Sequence, residues 1–150
     1  TSTSIIIWDG AGTAGLGDPG LGGIDLTVGG LQDAFDLRII ANDFAAQVII
    51  SIQDTLGGVS DLNQSSPGGI AGPANIPFLF EYLNFTDVLG GGADFTSVAG
   101  ITLTVIADQN ATDIELDFFG TTTTTVPEPG VLAILGLGVA GLGFARRRRG

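Results

Sequence analysis

The sequence predicts an all-β protein: an antiparallel β-sandwich or jelly-roll-like domain followed by a single short C-terminal transmembrane helix. Three observations predict it. Several windows in residues 1–120 alternate apolar and polar side chains with period two, the pattern of half-buried strands. Glycine, proline, asparagine and aspartate punctuate those windows as turn formers. Residues 130–145 run for sixteen positions without a charged or polar side chain and end on four consecutive arginines.

Seven windows are candidate strands. Residues 4–8 and 24–28 are short β-branched runs. In residues 35–39, Phe35, Leu37 and Ile39 alternate with Asp36 and Arg38. In residues 47–53, Val48, Ile50 and Ile52 form the inward set. Residues 76–82 are rich in aromatics. In residues 98–107, Ile101, Leu103 and Val105 alternate with Thr102, Thr104 and Ile106. In residues 113–119, Ile114, Leu116 and Phe118 face one way, and Asp113, Glu115 and Asp117 the other. No ten-residue window in the body has a clean helical face, although residues 94–97 or 31–34 fit one helical turn. Thr121 to Thr125 reads as an extended linker between the body, residues 1–120, and the tail, residues 126–150.

Composition removes whole classes of chemistry. The 150 residues contain no His, Cys, Lys or Met. Zinc sites built on His or Cys, Ser-His-Asp triads and Cys-His dyads therefore cannot be assembled. Neither can a Walker lysine or a Schiff base. A start without Met leads us to expect an N-terminal stretch, signal peptide included, ahead of residue 1. Residues 1–125 hold fifteen acids and one base, Arg38, a net of −14. Such a field repels phosphates, so nucleic acid is not an expected partner.

The tail reads Val126-Pro127-Glu128-Pro129, then the apolar run, then Arg146, Arg147, Arg148 and Arg149. As a helix, residues 130–145 are about 24 Å long, short of a ~30 Å hydrocarbon core. Snorkelling arginines and local thinning close that gap. The arginines place the C-terminus in the cytoplasm and the body outside. A buried hairpin or core helix of a soluble protein is the alternative, but four terminal arginines suit a membrane edge better. A prolyl-glutamyl-prolyl element, a short Gly/Ala/Leu span and a terminal arginine cluster together resemble the PEP-CTERM sorting signal. Such signals occur in surface proteins of Gram-negative bacteria that make exopolysaccharide. The resemblance implies recognition of Pro127, Glu128 and Pro129 by an exosortase, a membrane-embedded cysteine protease or transpeptidase. It also implies residence in the cell envelope, anchored in the membrane until processing. The body resembles that of many PEP-CTERM proteins too, in the succession FDLRI, DFTSVAGITLTV and DIELDFF leading into the tail.

Other motifs each have a plainer reading beside the functional one. Gly10-Ala11-Gly12-Thr13-Ala14-Gly15 is a literal dinucleotide fingerprint after a strand-like run. It needs a helix to begin within it, and seven glycines and a proline across residues 9–23 deny one. Asp108, Asn110 and Asp113 space oxygen ligands along one turn, and calcium is the cofactor they would suit. The plainer reading makes them turn formers. Trp8 and Tyr82 are the candidate aromatic platforms for a carbohydrate such as exopolysaccharide. Glu81 and Glu115, the only glutamates of the body, would have to converge for a glycosidase. Asn63, Asn84 and Asn110 begin glycosylation sequons that arise readily by chance. The leading expectation is therefore non-enzymatic: an exported cell-surface or biofilm-matrix protein.

Overall fold

The computed structural model describes residues 2–9, 20–107 and 113–124. Its strands are β1 (Ser2–Trp8), β2 (Ala34–Asn42), β3 (Gln47–Asp54), β4 (Val59–Ser65), β5 (Ile76–Glu81), β6 (Thr86–Leu89), β7 (Val98–Ala107) and β8 (Ile114–Thr122). A 3-10 turn, Tyr82–Asn84, joins β5 to β6. Five strands form one sheet in the order β1-β7-β3-β4-β6, and three form the other in the order β5-β2-β8. Every pairing is antiparallel. The expectation of an all-β antiparallel sandwich is met. Among the described residues no helix is long and apolar enough to cross a membrane; residues 130–145 lie outside them.

Alternation builds the core. Val48, Ile50 and Ile52 from β3 and Leu103 from β7 meet Phe35 and Leu37 from β2 and Phe80 from β5, all essentially solvent-free. Each branched or aromatic side chain so buried contributes roughly 1.5–3 kcal/mol. Between the two sheets, towards the end where β2 begins, rings stack in series. Trp8 lies on Phe119 at 5.1 Å, Phe119 on Phe35 at 5.2 Å, and Phe35 meets Tyr82 edge-on at 5.1 Å.

Three details correct the sequence reading. Residues 24–28 make no strand. Ile24 forms one bridge to Val98, and the chain then turns because the Asp25 carboxylate accepts the N–H groups of Thr27 and Gly29. Residues 59–65 and 86–89 are strands that alternation does not mark, because inward Ser60 is polar. Its hydroxyl donates to Asp87 and accepts from the Ala93 N–H, so it is buried without an apolar side chain. In β8 the inward aromatic is Phe119, whereas Phe118 is half exposed on the outer face. Leu116 pairs with Ile39 and Phe118 with Arg38, so one extra residue, Asp117, sits between them as a bulge. That extra residue moves the pleat by one position and exchanges the two faces.

The strand register gives the sandwich two distinct ends. At one end lie the start of β2, the β3–β4 hairpin, the turn after β5, the loop after β6 and the finish of β8. At the other, about 25 Å away along an eight-residue strand, lie the start of β1, the β2–β3 loop and Asp113. A buried polar knot closes this far end: Asn42 donates to the Ser66 hydroxyl at 2.9 Å and to the Pro67 carbonyl at 2.8 Å.

Candidate functional site

The C-terminal segment leaves the sandwich from a fixed point. The last strand ends at Thr122, whose carbonyl accepts the Asp33 N–H at 2.9 Å. Two residues later the chain is gripped again: the Thr124 N–H donates to Asp33 Oδ1, and its hydroxyl donates to Oδ2 at 2.7 Å. Asp33 thus clamps the chain just before the Pro-Glu-Pro element. Thr121 and Thr122, the front of the threonine tract, are already strand. Pro127, Glu128, Pro129, the apolar run and Arg146, Arg147, Arg148 and Arg149 lie outside the described residues.

The clamp is assembled by non-local neighbours. The Asp33 carbonyl accepts the Tyr82 N–H at 2.8 Å, and the Tyr82 hydroxyl donates to the Leu26 carbonyl at 3.2 Å. Burial first, then the nearby Asp33 and Asp25 carboxylates, pushes the Tyr82 phenol well above its ordinary range, so it stays a neutral donor.

A second aspartate organises the same end. Asp54 is buried, and its carboxylate accepts N–H groups from Leu56 and Gly58 at 2.8 Å and from Asp94 at 3.0 Å. The Asp94 N–H, with those of the hairpin, holds this carboxyl below the usual carboxylate range against the opposing cost of burial. One side chain therefore fastens the β3–β4 hairpin to the loop after β6. Gly58 completes the junction: a Cβ there would run into the Gly92 carbonyl and the Asp54 carboxylate. At exposed Asp25, the Thr27 hydroxyl and the Gly29 N–H lower the carboxyl likewise.

The candidate ligand residues are scattered. Asp113 is exposed at the far end, its carbonyl accepting the Asp43 N–H at 3.3 Å; Asp108 and Asn110 lie outside the described residues. Among the described residues no three metal-ligating side chains of the His, Cys, Asp and Glu types come together. Trp8 and Tyr82 both belong to the ring stack, one face of Trp8 against Phe119 and Tyr82 against Phe95 at 4.6 Å. Trp8 also walls two small cavities, of about 240 and 260 Å³. Their other walls are aliphatic and aromatic, with Thr121 and Asp117 the polar side chains, a lining that suits an apolar group better than a sugar. Glu81 pairs with Ala34 and Glu115 with Ala41, seven positions along β2 or about 23 Å. Paired glycosidase carboxylates stand roughly 5–9.5 Å apart, so these two do not form such a pair. Arg38 is held by Asp36, its Nε donating at 2.6 Å.

Sequence reasoning missed Asp33, Asp54 and Phe119. The only local signal was Asp54 four residues before Gly58, an Asx-turn spacing. The reach of Asp33 to Thr124 has no local signal.

With this geometry in place, comparison with known proteins identifies the tail. The family model of the PEP-CTERM protein-sorting motif matches residues 125–149, beginning at the residue after the clamp. No curated protein and no solved structure matches the chain. The motif implies an exported, membrane-associated protein of the Gram-negative cell envelope that is a substrate for exosortase processing.

Proposed function

We propose that the chain is a non-catalytic surface protein. Residues 130–145 hold its β-sandwich at the outer face of the membrane until an exosortase cuts near Pro127, Glu128 and Pro129. The observation that carries this is the sorting motif at residues 125–149, starting directly after Thr124. The clamp on Thr124 supports it physically. Cleavage requires an extended peptide, and a fixed sandwich terminus leaves only a few residues of slack between the folded body and the bilayer.

Each tail residue has a separate task in this reading. Pro127 and Pro129 keep the peptide out of a helix, so that its carbonyls stay available to a protease. Glu128 supplies the charge between them. Arg146, Arg147, Arg148 and Arg149 hold the cytoplasmic end in place. The non-enzymatic part of the reading rests on the absence of His, Cys and Lys and on the separation of Glu81 from Glu115. We place the released or tethered body at the cell surface or in the biofilm matrix, where its acidic, glycine-rich surface keeps it soluble.

The test is alanine at Pro127, Glu128 and Pro129 in a host that carries its exosortase. The expected result is full-length protein accumulating in the membrane fraction, with loss of the processed form. Processing at the normal rate would overturn the proposed role of these three residues.

A further inference from the structure

Exposed aliphatic side chains are not spread evenly over the sandwich. Val28, Leu31, Leu56, Leu83, Val88 and Leu89 are 53%, 70%, 93%, 81%, 58% and 64% exposed. All six lie at the end where Thr124 leaves, in the loop before β2, the tip of the β3–β4 hairpin, the turn after β5 and the end of β6. Away from this end the exposed apolar side chains are less exposed on the whole: Ile5, Ile6 and Ile7 lie along edge strand β1 at 59%, 47% and 40%, Phe118 on the outer face of β8 at 50%, and Phe44 and Ile76 towards the far end at 47% and 38%.

Chain length fixes what this end must face. Thr124 is held to Asp33, and the apolar run begins at Gly130. The six steps from Thr124 to Gly130 span at most about 20–22 Å when fully extended. A sandwich about 25 Å long cannot turn its far end to the bilayer on that tether. With residues 130–145 in the membrane, the exit end stays within that reach of the surface and is the end nearest to it.

We infer that this ring of loops is a membrane-docking face, with Leu56 and Leu83 as its foremost contacts and a zwitterionic lipid surface as its partner. The inference rests on the membrane-tether reading above. A tether this short gives the loops an effective concentration at the surface of about millimolar, so weak apolar contacts suffice to seat the domain. The acids at this end select the lipid. Asp25 and Asp54 keep their charge: the Thr27 hydroxyl and then the Gly29 N–H hold the first carboxylate ionised, and the Asp94 N–H with those of the hairpin holds the second. They repel anionic headgroups and tolerate zwitterionic ones.

The absence of cysteine makes the experiment direct. The full chain is placed, one copy per disc, in phosphatidylcholine nanodiscs. Single-cysteine variants Leu56→Cys, Leu83→Cys, Ser65→Cys and Leu135→Cys each carry a fluorophore, read against spin-labelled lipid and an aqueous quencher. Ser65 is an exposed far-end control, and Leu135 reports the tail. The expected result is lipid quenching at Leu135, and at Leu56 and Leu83 several-fold above that at Ser65, weakening in discs rich in anionic lipid. Lipid quenching at Leu135 with none at Leu56 and Leu83 would overturn docking and leave the tether standing. Protection of Leu56 from the aqueous quencher without lipid quenching would likewise overturn docking on lipid. No lipid quenching at Leu135 would overturn the tether reading and this one with it.

Discussion

Asp54 shows how much of this fold depends on single carboxylates. Its two oxygens satisfy three backbone N–H groups from two separate loops in a buried position. Charge-assisted bonds of this kind each contribute roughly 1.5–3 kcal/mol, and losing the acceptor strands its donors. Asp54→Ala is therefore expected to destabilise the domain by about 2–4 kcal/mol, read as a shift in the denaturant midpoint. The pH dependence follows from the lowered carboxyl. Its stabilisation is fully present above the ordinary value of 3.8 and is lost as pH falls below that value through the folded one. Acid titration of the melting temperature should show a drop beginning near pH 4 that is smaller in Asp54→Ala. An equal drop in both proteins would assign the acid lability to other groups.

Among the elements, β8 carries the clearest lesson. Its sequence alternates from Asp113 to Phe118, yet the bulge at Asp117 makes the next residue, Phe119, the aromatic that enters the core. Phe119 joins the ring stack between Trp8 and Phe35, while Phe118 lies over Gly120 on the outside, where a Cβ at Gly120 would meet its ring. Phe119→Ala is expected to cost about 3 kcal/mol and Phe118→Ala less than about 1 kcal/mol in equilibrium unfolding. Equal costs would mean that the bulge does not persist in solution. β4 and β6 make the complementary point. Hydrogen bonding to β3 and to each other makes them strands, although neither carries an apolar alternation. Their pairing is decided by what lies alongside, and that is set by chain segments far away in sequence.

For the whole molecule, charge and anchoring point in different directions. One base against fifteen acids in residues 1–125 makes the folded body repel itself. Salt should relieve this: melting temperature is expected to rise between about 0.02 and 0.5 M sodium chloride, as the screening length falls from ~20 Å to a few ångströms. A flat response would mean that the acids are already neutralised locally, by bound cations or by their loop hydrogen bonds. The same excess of acid disfavours anionic surfaces, so in the proposed reading attachment falls to the apolar residues at the exit end and to the tail.

The sequence alone determined what is written in local patterns. Period-two alternation placed Val48, Ile50 and Ile52, Leu103, and Phe35 and Leu37 in the core, because side chains on a pleated strand must alternate. The tail was legible for the same reason: a proline-flanked glutamate, an apolar run and an arginine cluster are contiguous, and the family model matches that stretch. Tertiary structure alone decided the rest. The bulge that exchanges Phe118 for Phe119, the burial of Ser60, the grip of Asp33 on Thr124 and the gathering of Leu31, Leu56 and Leu83 at one end all join residues distant in the chain. Such contacts follow from how two sheets stack and which loops meet at their ends, and one-dimensional periodicity carries no record of that geometry.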